Sequence, residues 1–198
     1  MKKISLFLVM IFLGVGVQAQ DNGFGVRAGV NIASMTNYNS KVGFHVGGMY
    51  RLQLLSDMPL FFEPGLELQF KGGKLTQSGA SNTLNLVYVE VPSMIAYRFR
   101  INDKWAIQPA VGPFFSFGVS GTVKQSYMGQ NQSADLFGSN GGLKRGDVGL
   151  KIAAGALLKR IYFGVGYDLS FINLPKNYTK GDPKLRNGSF YISAGYNF

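Results

Sequence analysis

From Phe24 onward the chain alternates: apolar side chains fall on every second residue, and helical spacing is absent. Phe24, Val26, Ala28, Val30 and Ile32 share one parity, with Gly25, Arg27, Gly29 and Asn31 between them. The pattern returns over 42–53, 60–71, 87–99, 105–119, 148–159, 161–171 and 190–198. Alternate side chains of a strand point to opposite faces, so the spacing predicts eight strands. The two faces differ in kind. The apolar parity takes in 49 positions without one charged residue. The other parity carries Arg27, Arg51, Glu63, Glu67, Lys71, Glu90, Arg98, Lys151, Lys159 and Asp168, and also His45. It holds twelve glycines against a single one, Gly48, on the apolar side.

That asymmetry decides which face points where. The interior of an eight-stranded barrel has room for a few side chains per layer, and 49 residues rich in Phe, Tyr and Leu cannot fit inside it. With the bulky parity outward and the glycine-rich charged parity inward, the chain reads as an eight-stranded antiparallel up-and-down transmembrane β-barrel. Closure also satisfies every backbone N–H that lipid could not. The gaps between strands support this reading, because long connections (35–41, 72–82, 121–146, 174–187) alternate with short ones (54–58, 100–104, 159–160). Outer-membrane barrels pair long external loops with short periplasmic turns, which puts both termini in the periplasm. Trp105, Tyr97, Phe99 and Tyr196 fall at the periplasmic ends of strands, and Phe70, Phe117, Phe171 and Phe190 at the outer ends, as interfacial girdles do. Pro64, Pro92, Pro109 and Pro113 fall inside strands and are expected to mark bulges or bends, since each removes a ladder donor.

Composition sharpens the picture. Only 15% of the 198 residues are charged, glycine numbers 27 and aromatics reach 14%. Such a chain is unusual among soluble domains. With no cysteine there is no disulfide scaffold, thiolate metal site or thiol nucleophile. Met1-Lys2-Lys3, an apolar run to about Val17 and Val17-Gln18-Ala19 read as a secretory signal peptide over 1–19, which leaves 20–198 as the barrel domain.

Several short motifs bear a resemblance. Tyr88-Val89-Glu90-Val91-Pro92 leading to Ala96-Tyr97-Arg98-Phe99 is one, and Gln108-Pro109-Ala110-Val111-Gly112-Pro113-Phe114 is another. Asp147-Val148-Gly149-Leu150, Gly164-Val165-Gly166-Tyr167 and the terminal Tyr196-Asn197-Phe198 complete the set. With these the chain resembles the small outer-membrane barrels of Bacteroidetes-type bacteria, the PorT-like family. The resemblance implies residence in the cell outer membrane and a terminal Phe198 read by the barrel-assembly machinery. Relatives in secretion and gliding machinery make a place in a cell-envelope or secretion complex an expectation.

The candidate chemistry is sparse. One His and no Cys leave no metal-ligand spacing and no expected cofactor. His45 shares the lumen parity with Asp168 and Ser170, the ingredients of a lipid A-modifying hydrolase, but acyl chains would reach them only through a sideways opening. The inward charges Arg27, Arg51, Glu63, Glu67, Lys71, Glu90, Arg98, Lys151 and Asp168 are close to balance and are expected to pair as a polar network that includes His45. A narrow channel lined by the same groups is the alternative. The external loops carry Lys41, Lys74, Lys124, Lys144, Arg145, Lys176, Lys180, Lys184 and Arg186 against Asp135 and Asp182. The patch Lys144, Arg145, Lys176, Lys180, Lys184 and Arg186 is placed to meet lipopolysaccharide phosphates or an envelope protein partner. Nucleic acid is not an expected partner of an exported chain. The combined reading is a non-enzymatic barrel acting as anchor or interaction protein through its cationic loops.

Overall fold

The computed structural model describes residues 22–35, 39–77, 80–127, 130–137, 141–176 and 185–198. The signal peptide expected over 1–19, and Lys180 and Lys184 of the basic patch, lie outside the described residues.

Eight long strands form the wall: β1 (Gly23–Met35), β2 (Asn39–Leu55), β3 (Met58–Gln77), β4 (Ala80–Tyr97), β6 (Trp105–Tyr127), β8 (Gly146–Leu158), β9 (Ile161–Ser170) and β10 (Asn187–Asn197). Two short strands add to them: β5 (Phe99–Arg100) pairs with β6 at one end of the barrel, and β7 (Gln130–Asp135) pairs with β6 beyond the other. Each wall strand is antiparallel to its neighbours in chain order, β4 pairs with β6, and β1 pairs with β10 from Gly25↔Asn197 to Met35↔Asn187. The ring is thus closed, an eight-stranded antiparallel barrel. No α-helix occurs among the described residues.

The face assignment follows the parity. Phe24, Val30, Phe44, Phe115, Ile152, Phe163, Val165 and Ile192 are exposed on the outside, most of them about half-exposed. Arg27, His45, Glu63, Lys71, Glu90, Lys151 and Asp168 are buried inside. Apolar groups turned outward and charges turned inward reverse the order of a water-soluble fold, which is the arrangement a lipid solvent imposes.

Three expectations are corrected. First, the four prolines do not shift the register. Pro64↔Ser93 and Glu67↔Glu90 belong to one register, as do Pro92↔Phe114 and Ile95↔Val111, and Pro109 and Pro113 sit in unbroken pairing with β8. Beside Pro64 and Pro92 the ladder omits two pairs and resumes in step. A missing N–H removes one bond without adding a residue, so it opens the ladder locally and leaves no surplus to bulge. The register shifts lie elsewhere, at Val87/Tyr88 of β4 and at both ends of the β2–β3 pair. Second, two of the long connections, 72–82 and 121–146, are largely strand in their described residues. β3 and β4 run on to Gln77↔Ala80, and β6 to Tyr127, so pairing continues through sequence whose alternation has faded. Third, Lys159 does not enter the lumen: it is exposed in the two-residue turn between β8 and β9.

Candidate functional site

The lumen is filled, and inward glycines are what make the filling possible. Tyr162 lies over Gly155 and Gly164, and Phe114 over Gly149, so a Cβ at any of these three positions would stand inside the neighbouring ring. Small residues therefore seat large inward rings as well as long cations. Phe61, Tyr88, Phe114, Tyr162 and Tyr191 are all buried inside the barrel. Parity already sets Phe61 and Tyr88 inward, but the sequence reading named only small and charged residues as the filling of the lumen.

Around the rings the charges form two connected layers. Near the end that bears both chain termini, Arg51 Nε donates to Glu63 Oε1 at 3.0 Å. Gln108 Nε2 donates to both oxygens of the same carboxylate at 3.1 Å, and Arg98 Nε and Nη2 each donate to Gln108 Oε1 at 3.1 Å. The Arg98 guanidinium lies 4.7 Å from the Phe61 ring centroid. Deeper in, Glu90 is fully buried and holds two lysines: Lys151 at 2.8 Å and Lys71 at 3.2 Å. Asp168 bridges the same lysines at 3.0 Å to Lys71 and 3.3 Å to Lys151, and Glu67 meets Lys151 at 3.0 Å. Ser116 Oγ donates to Glu90 at 2.9 Å, and Gln69 donates to Glu67 at 2.8 Å while accepting from Asn31 at 3.1 Å.

Arg27 stands apart from the carboxylates, with its guanidinium 3.9 Å from the Tyr162 ring centroid and Nη1 donating to Val26 O. Asp147, quoted in the sequence only within a motif, joins the interior: it accepts from Ser170 and, at 3.2 Å, from Asn187. The inward cations Arg27, Arg51, Lys71, Arg98 and Lys151 thus face an equal number of inward carboxylates, Glu63, Glu67, Glu90, Asp147 and Asp168. The cavity left among Arg27, Glu63, Glu67, Lys151, Tyr162 and Tyr191 measures about 60 Å³. That is room for a few water molecules.

His45 sits in this interior with Nε2 2.8 Å from Ser193 Oγ and its ring edge-on to Tyr191. The structure does not join it to the residues expected beside it. Asp168 is taken by the two lysines, and Ser170 donates to Asp147. A histidine beside a serine is two-thirds of a hydrolytic triad, and among the described residues no acid meets His45 Nδ1 to orient it.

The end opposite the termini is closed by a plug absent from the sequence reading. Phe137, Leu143 and Leu174, from the connections after β7 and β9, pack on Met35, Leu84, Leu86 and Tyr88 of the wall, with Leu136 and Leu185 against them. A Cβ on Gly118 would lie 2.6 Å from the Phe137 ring, so the glycine makes its seat. The two connections are knitted by backbone bonds: Lys144 N donates to Leu174 O at 2.8 Å, and Lys176 N to Gly142 O at 2.9 Å. Leu143 also bridges Pro175. Isolated leucines and one phenylalanine in polar loops were the only signal in the sequence.

The basic patch divides accordingly. Arg145 is structural: its guanidinium donates to Gly118 O at 2.9 Å and Phe137 O at 3.2 Å, tying the plug to the wall. Lys41 likewise turns onto Leu84 O and Asn85. Lys144, Lys176 and Arg186 remain exposed on the outer surface of the plug.

Against solved structures, the chain is similar to neisserial surface protein A, with a TM-score of 0.54 and 16% identity over 90% of this chain and all of that one. It is also similar to Ail, the attachment invasion locus protein of Yersinia pestis, with a TM-score of 0.44 and 16% identity over 89% of this chain and 97% of that one. No curated protein matches by sequence. The outer membrane protein beta-barrel domain family matches residues 5–198, from before the first strand to the terminal Phe198, and the chain belongs to that family of outer-membrane barrels.

Proposed function

We propose that this outer-membrane protein is a sealed, non-enzymatic barrel that acts as an anchor for the surface at its plugged end. The observation that supports it most is the interior: balanced ion pairs leave a cavity of about 60 Å³, and the far mouth is packed with leucine and phenylalanine. A conducting lumen needs a continuous wet path, and a lipid-modifying site needs access for an acyl chain. This interior favours neither. What the barrel does offer is exposed at the plugged end: the β3–β4 hairpin, the β6–β7 hairpin and the cations Lys74, Lys124, Lys144, Lys176 and Arg186.

In the proposed orientation the short turns and both termini face the periplasm. The long hairpins face outward, where cations beside a lipopolysaccharide leaflet meet phosphates. The finer reading, a PorT-like member of a cell-envelope complex in a Bacteroidetes-type bacterium, rests on the short motifs. The barrel-assembly machinery is the partner expected at insertion.

An epitope inserted between Gly129 and Gln130 tests the orientation. Antibody should bind it on intact cells, and an epitope placed ahead of Asn22 should be reached only after the outer membrane is opened. The reverse labelling would overturn the orientation. Crosslinking from Lys144 and Arg186 in native membranes should capture lipopolysaccharide or an envelope protein. Release of acyl groups from lipid A that stops with His45→Ala would overturn the non-enzymatic reading.

A further inference from the structure

The turns at the terminal end carry more cations than their geometry calls for. β8 and β9 are joined by Lys159 and Arg160 alone, with Leu158 paired to Ile161. Lys159 has φ 54°, the left-handed region where Gly, Asn or Asp is the usual occupant of so tight a hairpin. With positive φ at the first turn position and not at Arg160, the backbone favours Gly at 159, and the chain places two cations in the turn instead. A non-glycine residue held in that region is a recognised mark of a functional position.

The neighbouring turn is stiff. Asn102 Oδ1 accepts from the amides of Lys104 and Trp105 at 2.9 Å each, and Lys159 N donates to Lys104 O at 2.8 Å, so the two turns are locked together. With Arg98 and β5 they line an open dish of about 460 Å³. Among the described residues its charged lining is Arg98, Arg100, Lys104 and Lys159 against the single acid Asp103, over buried Ala106 and Leu157, with Ile101 and Trp105 at its edge.

Parity sets the direction of two of these cations, and the other two, Lys104 and Lys159, stand exposed in the turns. Arg98 and Arg100 share the inward parity of the wall, while Phe99, Ile101 and Trp105 at the same level are exposed on the outer, apolar side. Arg98 and Arg100 therefore stand on the mouth side of the wall, with Lys104 and Lys159 at the rim of the dish. They come from three segments around a space far larger than one phosphate ion, which suits a ligand with several separated anionic groups on a carbon frame. We infer that this dish is a docking site for an acidic peptide segment of a partner protein. In the orientation proposed above that partner is periplasmic; the site itself does not depend on that orientation, and purified protein exposes both ends to the probe.

The test uses the full barrel in nanodiscs of zwitterionic lipid, with fluorescein-labelled hexaglutamate followed by anisotropy. Wild type should bind saturably and more weakly as salt is raised. The Arg100→Gln, Lys104→Gln, Lys159→Asn triple variant should bind about tenfold more weakly, as three partly exposed ion pairs would give. It spares Arg98, which holds Gln108 in the lumen, and Asn suits the backbone at 159. Heat-modifiable migration on gels confirms that the variant is folded. Equal binding by wild type and folded variant would overturn the assignment, as would no saturable binding. A parallel arm in nanodiscs containing phosphatidylglycerol separates the lipid source: loss of peptide binding there, with anionic lipid retained by wild type and not by the variant, would assign the dish to a lipid headgroup and overturn the peptide.

Discussion

At the residue scale the decisive choice is which charges share a partner. Glu90 is fully buried between Lys71 and Lys151, so Glu90→Gln removes one ion pair from each lysine and leaves Asp168 on both and Glu67 on Lys151. A hydrogen bond to a charged group contributes about 1.5–3 kcal/mol, and the variant, with two of them weakened, should show a lower unfolding midpoint in urea. Arg27 pairs with a ring instead of a carboxylate, so Arg27→Gln should shift that midpoint far less. On the outer face, Ile152→Arg should cost roughly 2–4 kcal/mol if the site lies near the midplane. Insertion of Ile152→Arg into vesicles as efficiently as wild type would contradict the face assignment. This division between faces was legible in the sequence because period two sorts residues without reference to their contacts. The partners were not legible. Lys71 meets Asp168 across the lumen from β3 to β9, and nothing local links residues so distant in sequence. Lys159 went astray for the opposite reason: parity counts through a turn as if the strand continued.

At the scale of elements, what escaped the sequence reading was the order in the long connections. The 121–146 stretch reads as a polar loop, yet it contains the end of β6, the β7 hairpin and the plug residues Phe137 and Leu143. Hairpin pairing continues without alternation because outside the membrane neither face needs to be uniformly apolar. Plug formation depends on leucines from two connections meeting over Leu84 and Leu86, a tertiary event with no periodic signature. The consequence is testable by deletion. Removing 128–133 should leave a folded, heat-modifiable barrel, since it trims only the hairpin tip. Removing 124–143 also excises Leu136, Phe137 and Leu143, the larger part of the plug, and leaves Leu174 and Leu185. The chain has no native cysteine, so a lone Leu86→Cys reports on cover: its maleimide labelling should be slow in the first deletion and at least severalfold faster in the second. Gly118→Val, which takes the seat of the Phe137 ring, should accelerate labelling in the same way. Equal labelling rates in all of these backgrounds would contradict the plug.

For the whole molecule, one arrangement accounts for the composition. The outward parity supplies the apolar surface, the glycines of the inward parity seat rings and long cations, and closure of β1 on β10 leaves the wall without an edge. An interior of matched charges beneath an apolar plug is a solid support and a poor conduit, which is why the proposed role rests on the exposed ends. Single-channel recording of the purified barrel in planar bilayers tests that claim most directly. The account predicts a flat baseline for wild type at either polarity, with current steps appearing only when the plug is removed and Glu90 is neutralised together. Steady, reproducible conductance steps from the wild-type protein would contradict it.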